Sequence, residues 1–214
     1  IDIELREQID FTRILYGKGH FLDALRLLER AKEIAVKHNQ DLLHLEIIEF
    51  QKLIEARHVT LSRQVENKMD LLLKESSERN QSVFNTSEIF SLNIQLHGLY
   101  IEHGHGRTEE EQDENQEFWS EAKKKITGRG PSDYTFHQKV NLFQASMWFH
   151  YIQLNFSDAL DDAMEAATWF SLRRQMTVKD PDLYLRCLYY VAMFGFLNGK
   201  ENTVRRYLAF MNSF

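Results

Sequence analysis

Apolar residues recur along this chain at intervals of three and four. Phe21, Ala24, Leu25, Leu28, Ala31 and Ala35 fall on one face of a helix with 3.6 residues per turn. Leu43, Ile47, Phe50 and Ile54 repeat the pattern, and Val65, Met69 and Leu72 mark another stripe. Val140, Phe143, Met147, Tyr151 and Leu154 form a longer one. Tyr184, Leu188, Val191 and Gly195, then Val204, Leu208 and Met211, complete the series. Alternation of period two is not sustained anywhere, so the expected fold class is all-α. The spacing predicts about ten helices, over 3–17, 20–38, 41–58, 61–78, 86–103, 108–126, 133–154, 157–175, 181–198 and 200–213.

Punctuation between the stripes supports these bounds. Gly17 and Gly19 stop the first helix, because glycine reaches the left-handed conformation cheaply. Asn39 ends the second, with Asp41 placed to cap the third. Thr108 and Glu111 have the spacing of a capping box, in which each side chain satisfies an orphan backbone N–H. Asp180 and Pro181 are a cap followed by proline at the first helical position, and Asn198-Gly199 is a stop. Gly128, Gly130 and Pro131 make the strongest break. They predict N-terminal hairpins over 1–127, a connecting loop over 128–132 and C-terminal hairpins over 133–214, all within one continuous solenoid. The chain starts at Ile1, not Met, and Phe214 ends it without the polar cap usual in terminal repeats, so a piece of a longer protein is expected.

Aligning the second helix of each hairpin uncovers a repeat. Gly19, Ala24, Leu28 and Ala31 match Asn155, Ala159, Ala163 and Ala166, with an echo in Gly199, Val204, Leu208 and Met211. Positions 24, 159 and 204 differ by 135 and 45, and 135 is three times 45, which suggests five hairpins of about 45 residues. A lone hairpin cannot bury its apolar face, whereas stacked hairpins share one core. Gly19, Ala24, Leu28 and Ala31 also have the spacing of the turn glycine, small, bulky and small residues of tetratricopeptide repeats. The chain therefore resembles a degenerate, long-helix tetratricopeptide-like protein. It departs from that family at Gln8, Phe11, Thr12 and Leu15, where an aromatic, a leucine-glycine pair and a tyrosine are expected, and at Val36 in place of a proline. The resemblance implies a right-handed α-α superhelix of about five antiparallel hairpins whose leading helices line a concave, ligand-binding face. Carried over by register, it puts Arg6 and Arg13, then Asn141, Gln144, Trp148 and Tyr151, then Arg186 and Tyr189 on that face.

Composition narrows the chemistry. The formal net charge of −6 over 214 residues disfavours a nucleic-acid binder, whose affinity comes mainly from neutralising phosphates. No apolar run reaches the roughly 18 residues of a membrane span. The single cysteine, Cys187, excludes an internal disulfide framework, sits in an apolar helix where thiols are inert, and leaves cytoplasmic residence as the default. Asp41 with His44, and Glu55 with His58, have di-iron spacing, yet lie about 20 Å apart on one helix and cannot share a cluster. His103 and His105, beside Glu102, could chelate a divalent ion only with a third ligand, and a polar turn is the simpler reading. The acids from Glu109 to Glu117 complement a helix start, and Asp158, Asp161, Asp162 and Glu165 form a second acidic face read as electrostatic. No nucleophile elbow, phosphate loop or dinucleotide fingerprint occurs. The expected function is a non-enzymatic scaffold for a protein or peptide, without cofactor or metal. A ligand-sensing regulatory repeat is the alternative, and a metal-dependent bundle enzyme stands further off.

Overall fold

The computed structural model describes residues 2–58, 67–126 and 134–213. Among them are ten helices: α1 (Asp2–Gly17), α2 (Phe21–Lys37), α3 (Asp41–His58), α4 (Lys68–His103), α5 (Glu109–Ile126), α6 (Phe136–Ile152), α7 (Phe156–Ser171), α8 (Arg174–Lys179), α9 (Pro181–Leu197) and α10 (Glu201–Asn212). No strand occurs among the described residues, and no described helix is long and apolar enough to cross a membrane. The fold is all-α, with consecutive helices packed on one another. The number of helices agrees with the sequence reading, but two boundaries do not. The expected start at 61 lies outside the described residues, and from Lys68 on the helices expected over 61–78 and 86–103 are one: Arg79 to Asn85 holds polar residues but no glycine or proline, and the Asn80 amide donates to the Ser76 carbonyl one turn back (3.0 Å). The helix expected over 157–175 ends at Ser171, and α8 follows separately. The predicted loop at 128–132 lies outside the described residues.

Four turns share one construction. Gly19, Asn39, Leu154 and Gly199 take positive φ (81°, 50°, 59° and 66°). The next residue's N–H donates to the carbonyl five positions earlier: His20 to Leu15 (3.0 Å), Gln40 to Ala35 (2.9 Å), Asn155 to His150 (2.8 Å) and Lys200 to Gly195 (2.8 Å). This closure satisfies carbonyls that the helix end would otherwise leave orphaned. Positions 19, 154 and 199 are again 135 and 45 apart, the offsets of the three motifs aligned in the sequence.

The chain divides into two compact units, Ile1–Phe84 and Asn85–Phe214, with the boundary in the sequence of α4. In the first, α1, α2 and α3 pack in succession around Leu5, Ile9, Leu25, Leu28, Ile47 and Ile54, and Ala24, Ala31 and Ala35 are buried small residues that permit close helix approach. In the second, α6, α7, α9 and α10 pack in succession around Val140, Met147, Leu160, Phe170, Leu188 and Phe194. There Trp119 of α5 stacks on Phe149 of α6, with ring centroids 4.8 Å apart. All three tryptophans, Trp119, Trp148 and Trp169, belong to this second unit.

Candidate functional site

The largest cavity among those described lies between α6 and α7, about 580 Å3 in volume. Helical spacing builds its walls. Lys139 and Phe143 are one turn apart on α6, while Asp161, Met164, Glu165, Thr168, Trp169 and Leu172 occupy the outer flank of α7. The inward positions of α7, among them Ala159, Ala163, Ala166 and Phe170, are consumed by the core, so the next face of the helix becomes the groove. Met164 and Leu172 are exposed apolar residues on that flank.

Lys139 in the groove and Arg173 beside it are held on aromatic rings. The Lys139 ammonium lies 5.4 Å from the Phe143 ring centre and 5.5 Å from that of Trp169. The Arg173 guanidinium lies 3.3 Å from the Trp169 centre and donates to the Trp169 carbonyl (3.4 Å). Cations above aromatic faces are attracted by the negative ring quadrupole. Asp161 and Glu165 are exposed and make no ion pair among the described residues. A smaller cavity of about 200 Å3 shares the Lys139 and Phe143 walls and reaches Trp119, Tyr134 and Asp162. Burial pushes the Asp162 carboxyl up, against the pull of the Ser146 hydroxyl and of His150, whose Nε2 is 3.7 Å from Oδ2.

The eight residues expected on a concave face are distributed over both units. In the first, Arg6 is exposed and pairs with Asp2 (2.8 Å), and Arg13 links α1 to α3 through Glu46 (2.6 Å). In the second, Asn141 is buried: its amide donates to the His137 carbonyl (2.9 Å), and its own carbonyl accepts from Asn93 (3.2 Å). It offers a ligand no exposed amide. Gln144 is half-buried, and its side chain faces the Cys187 thiol, which burial pushes up to about 12. Trp148 meets His97, Tyr100 and Tyr190 edge-on or tilted. Tyr151 packs on Tyr100, His105 and Phe194, and its hydroxyl is pushed up to about 12 by the bond to the Tyr100 hydroxyl (3.3 Å) and by burial. Arg186 and Tyr189 are exposed on α9.

The metal candidates have other partners. Asp41 starts α3 rather than capping it and pairs with Arg79 (2.6 Å), while the His58 ring stacks on Phe21 at 3.6 Å. His103 is exposed, and His105 Nδ1 lies 3.0 Å from the Tyr151 carbonyl. Among the described residues no group of three or more His, Cys, Asp or Glu is arranged to hold a metal. Glu111 accepts from the Arg107 and Thr108 N–H groups, which hold its carboxyl low, as a capping box requires.

A charge network joins α2, α3 and the start of α4 in the first unit. Lys32 bridges Glu29 and Glu75 (3.0 Å each), Lys68 pairs with Glu29 (2.6 Å), and Glu75 meets His44 Nε2 (2.9 Å). Burial lowers the His44 pKa and outweighs the bond to Glu75. Its Nδ1 is buried without a partner, the arrangement of a neutral ring that donates through Nε2.

Phe143 entered the sequence reading only as part of an apolar stripe, and the groove residues Lys139 and Leu172 escaped it. Met164, Thr168 and Leu172, at four-residue spacing beside the apolar stripe of α7, were the available signal. No family model, curated protein or solved structure matches the chain.

Proposed function

We propose that this chain is a non-enzymatic helical-repeat module that binds a protein or peptide, with the α6–α7 groove as its contact surface. The observation behind the reading is that groove: about 580 Å3, within the usual range of roughly 300–1,000 Å3 for ligand sites, with a ring-lined floor and charged rims. Apolar walls supply burial energy and the rim charges supply orientation, which is the division of labour in most protein interfaces. The expected right-handed stacking of hairpins, and residence in a reducing compartment where the lone Cys187 stays a thiol, belong to the same proposal. A peptide-array screen with the whole chain tests it. Retained peptides should be lost with Leu172→Glu, a change at a side chain 73% exposed that spares the core. An array without ligands, or ligands indifferent to Leu172→Glu, refutes the assignment.

A further inference from the structure

Resting on that reading, we infer that the α6–α7 groove takes an amphipathic basic segment, its apolar side chains on Phe143, Trp169 and Leu172 and a lysine or arginine on Asp161 and Glu165. The charge of the partner follows from which groove charges are already engaged. Lys139 and Arg173 sit over ring faces, and Arg173 also donates to a backbone carbonyl. Asp161 and Glu165 are the charges without such engagement. Four residues apart on α7, they are helix-surface neighbours, about 5–6 Å between Cβ atoms, so one guanidinium or a pair of ammonium groups can reach both. Asp158 and Asp162 extend the acidic row. Asp158 accepts from Asn155 (2.7 Å), and Asp162 faces His150 and Ser146. An acidic segment would meet the Asp161 and Glu165 carboxylates directly, and like charges brought together oppose docking.

The size of the partner follows from the geometry. Met164 to Leu172 spans about 12 Å of helix, so the contact matches two to three turns of a partner helix. Recognition of this kind places apolar anchors at intervals of three and four in the groove and polar residues on its flank.

The probe is a fluorescent peptide of about three helical turns, with leucine and phenylalanine one turn apart and two flanking lysines, and a twin carrying glutamates instead. Fluorescence anisotropy should show the lysine peptide binding and the glutamate twin at least about tenfold weaker. The exposed double variant Asp161→Asn, Glu165→Gln should weaken the lysine peptide roughly fivefold, the worth of two solvent-exposed ion pairs. Titration should move the Trp169 indole N–H resonance, assigned through Trp169→Phe. Equal binding of the twins, an unaffected double variant, an unmoved Trp169 signal, or no binding up to about 1 mM would each overturn the inference. So would a concentration-dependent dimer that Leu208→Glu abolishes and that the lysine peptide fails to displace, since the exposed Leu208 and Phe210 beside Arg205 and Arg206 would then be the occupant. Array ligands that need Leu172 but ignore Asp161 and Glu165 sink this inference and leave the broader reading standing. An array without ligands removes both.

Discussion

Cys187 shows how far packing decides the chemistry of one side chain. It is 1% exposed, and burial pushes its thiol up to about 12, so the thiolate that reacts with electrophiles is scarce near neutral pH. Maleimide or a disulfide reagent at pH 8 should leave the folded protein unlabelled and modify one thiol per chain in denaturant; rapid labelling of the native state would contradict this. That inertness was legible in the sequence, because the surrounding Leu185, Leu188 and Val191 announce an apolar helix. The placement of Asn141 was not. A shift of one residue turns a helical position by about 100°, and the face of α6 that Asn141 occupies is covered by Asn93 from α4, a partner that no local pattern on α6 specifies.

Helix ends were read well where a side chain closes them. The Thr108–Glu111 box and the Asp180 cap before Pro181 both form. A second box, Thr135 with Gln138, caps α6 and has the same spacing in the sequence, yet went unread there beside the stronger breaks at Gly128 and Pro131. The run after Arg79 misled in the opposite direction, since asparagine and serine permit a turn without forcing one. Leu154 is the informative exception among the four shared turns, because a leucine stands where Gly19 and Gly199 stand, at φ 59°. A left-handed non-glycine residue costs about 1–2 kcal/mol, partly offset by the unfolded-state entropy glycine would add. Leu154→Gly should therefore stabilise the protein by about 0.5–1 kcal/mol, read as a higher denaturation midpoint. A lower midpoint would mean that the partly exposed Leu154 side chain contributes more by packing than its backbone costs.

For the whole molecule, acid acts on both units: burial lowers the His97 pKa in the second and the His44 pKa in the first, where carboxylates extend the effect. His44 binds its proton less readily in the folded state than at its ordinary value of 6.5, so the unfolded state holds more protons as pH falls through that value, and stability declines. Glu29 and Glu75 extend the loss downward. Burial alone would raise their carboxyls, but bonds to Lys68 and Lys32, and to Lys32 and His44, hold them below the ordinary 4.5, so their contribution fades as pH falls from 4.5 toward the folded values. Lys32 acts at the other extreme: its bonds to Glu75 and Glu29 outweigh burial and raise it above 10.5, so its share is lost only at higher pH. Hydrogen exchange, corrected for intrinsic rates, should show α2, α3 and the first turns of α4 losing protection between pH 7 and 5. His44→Gln should flatten the upper part of that loss. Equal protection at both pH values would refute the account.

The confinement of every indole to residues after Asn85 has a practical corollary for spectroscopy. Intrinsic emission excited at long ultraviolet wavelength is blind to the first 84 residues, whereas far-ultraviolet ellipticity reports all ten helices. In an acid titration, ellipticity that falls while the emission maximum stays fixed would be the signature of the first unit melting alone, and an early emission shift would report the second unit, where His97 packs edge-on against Trp148.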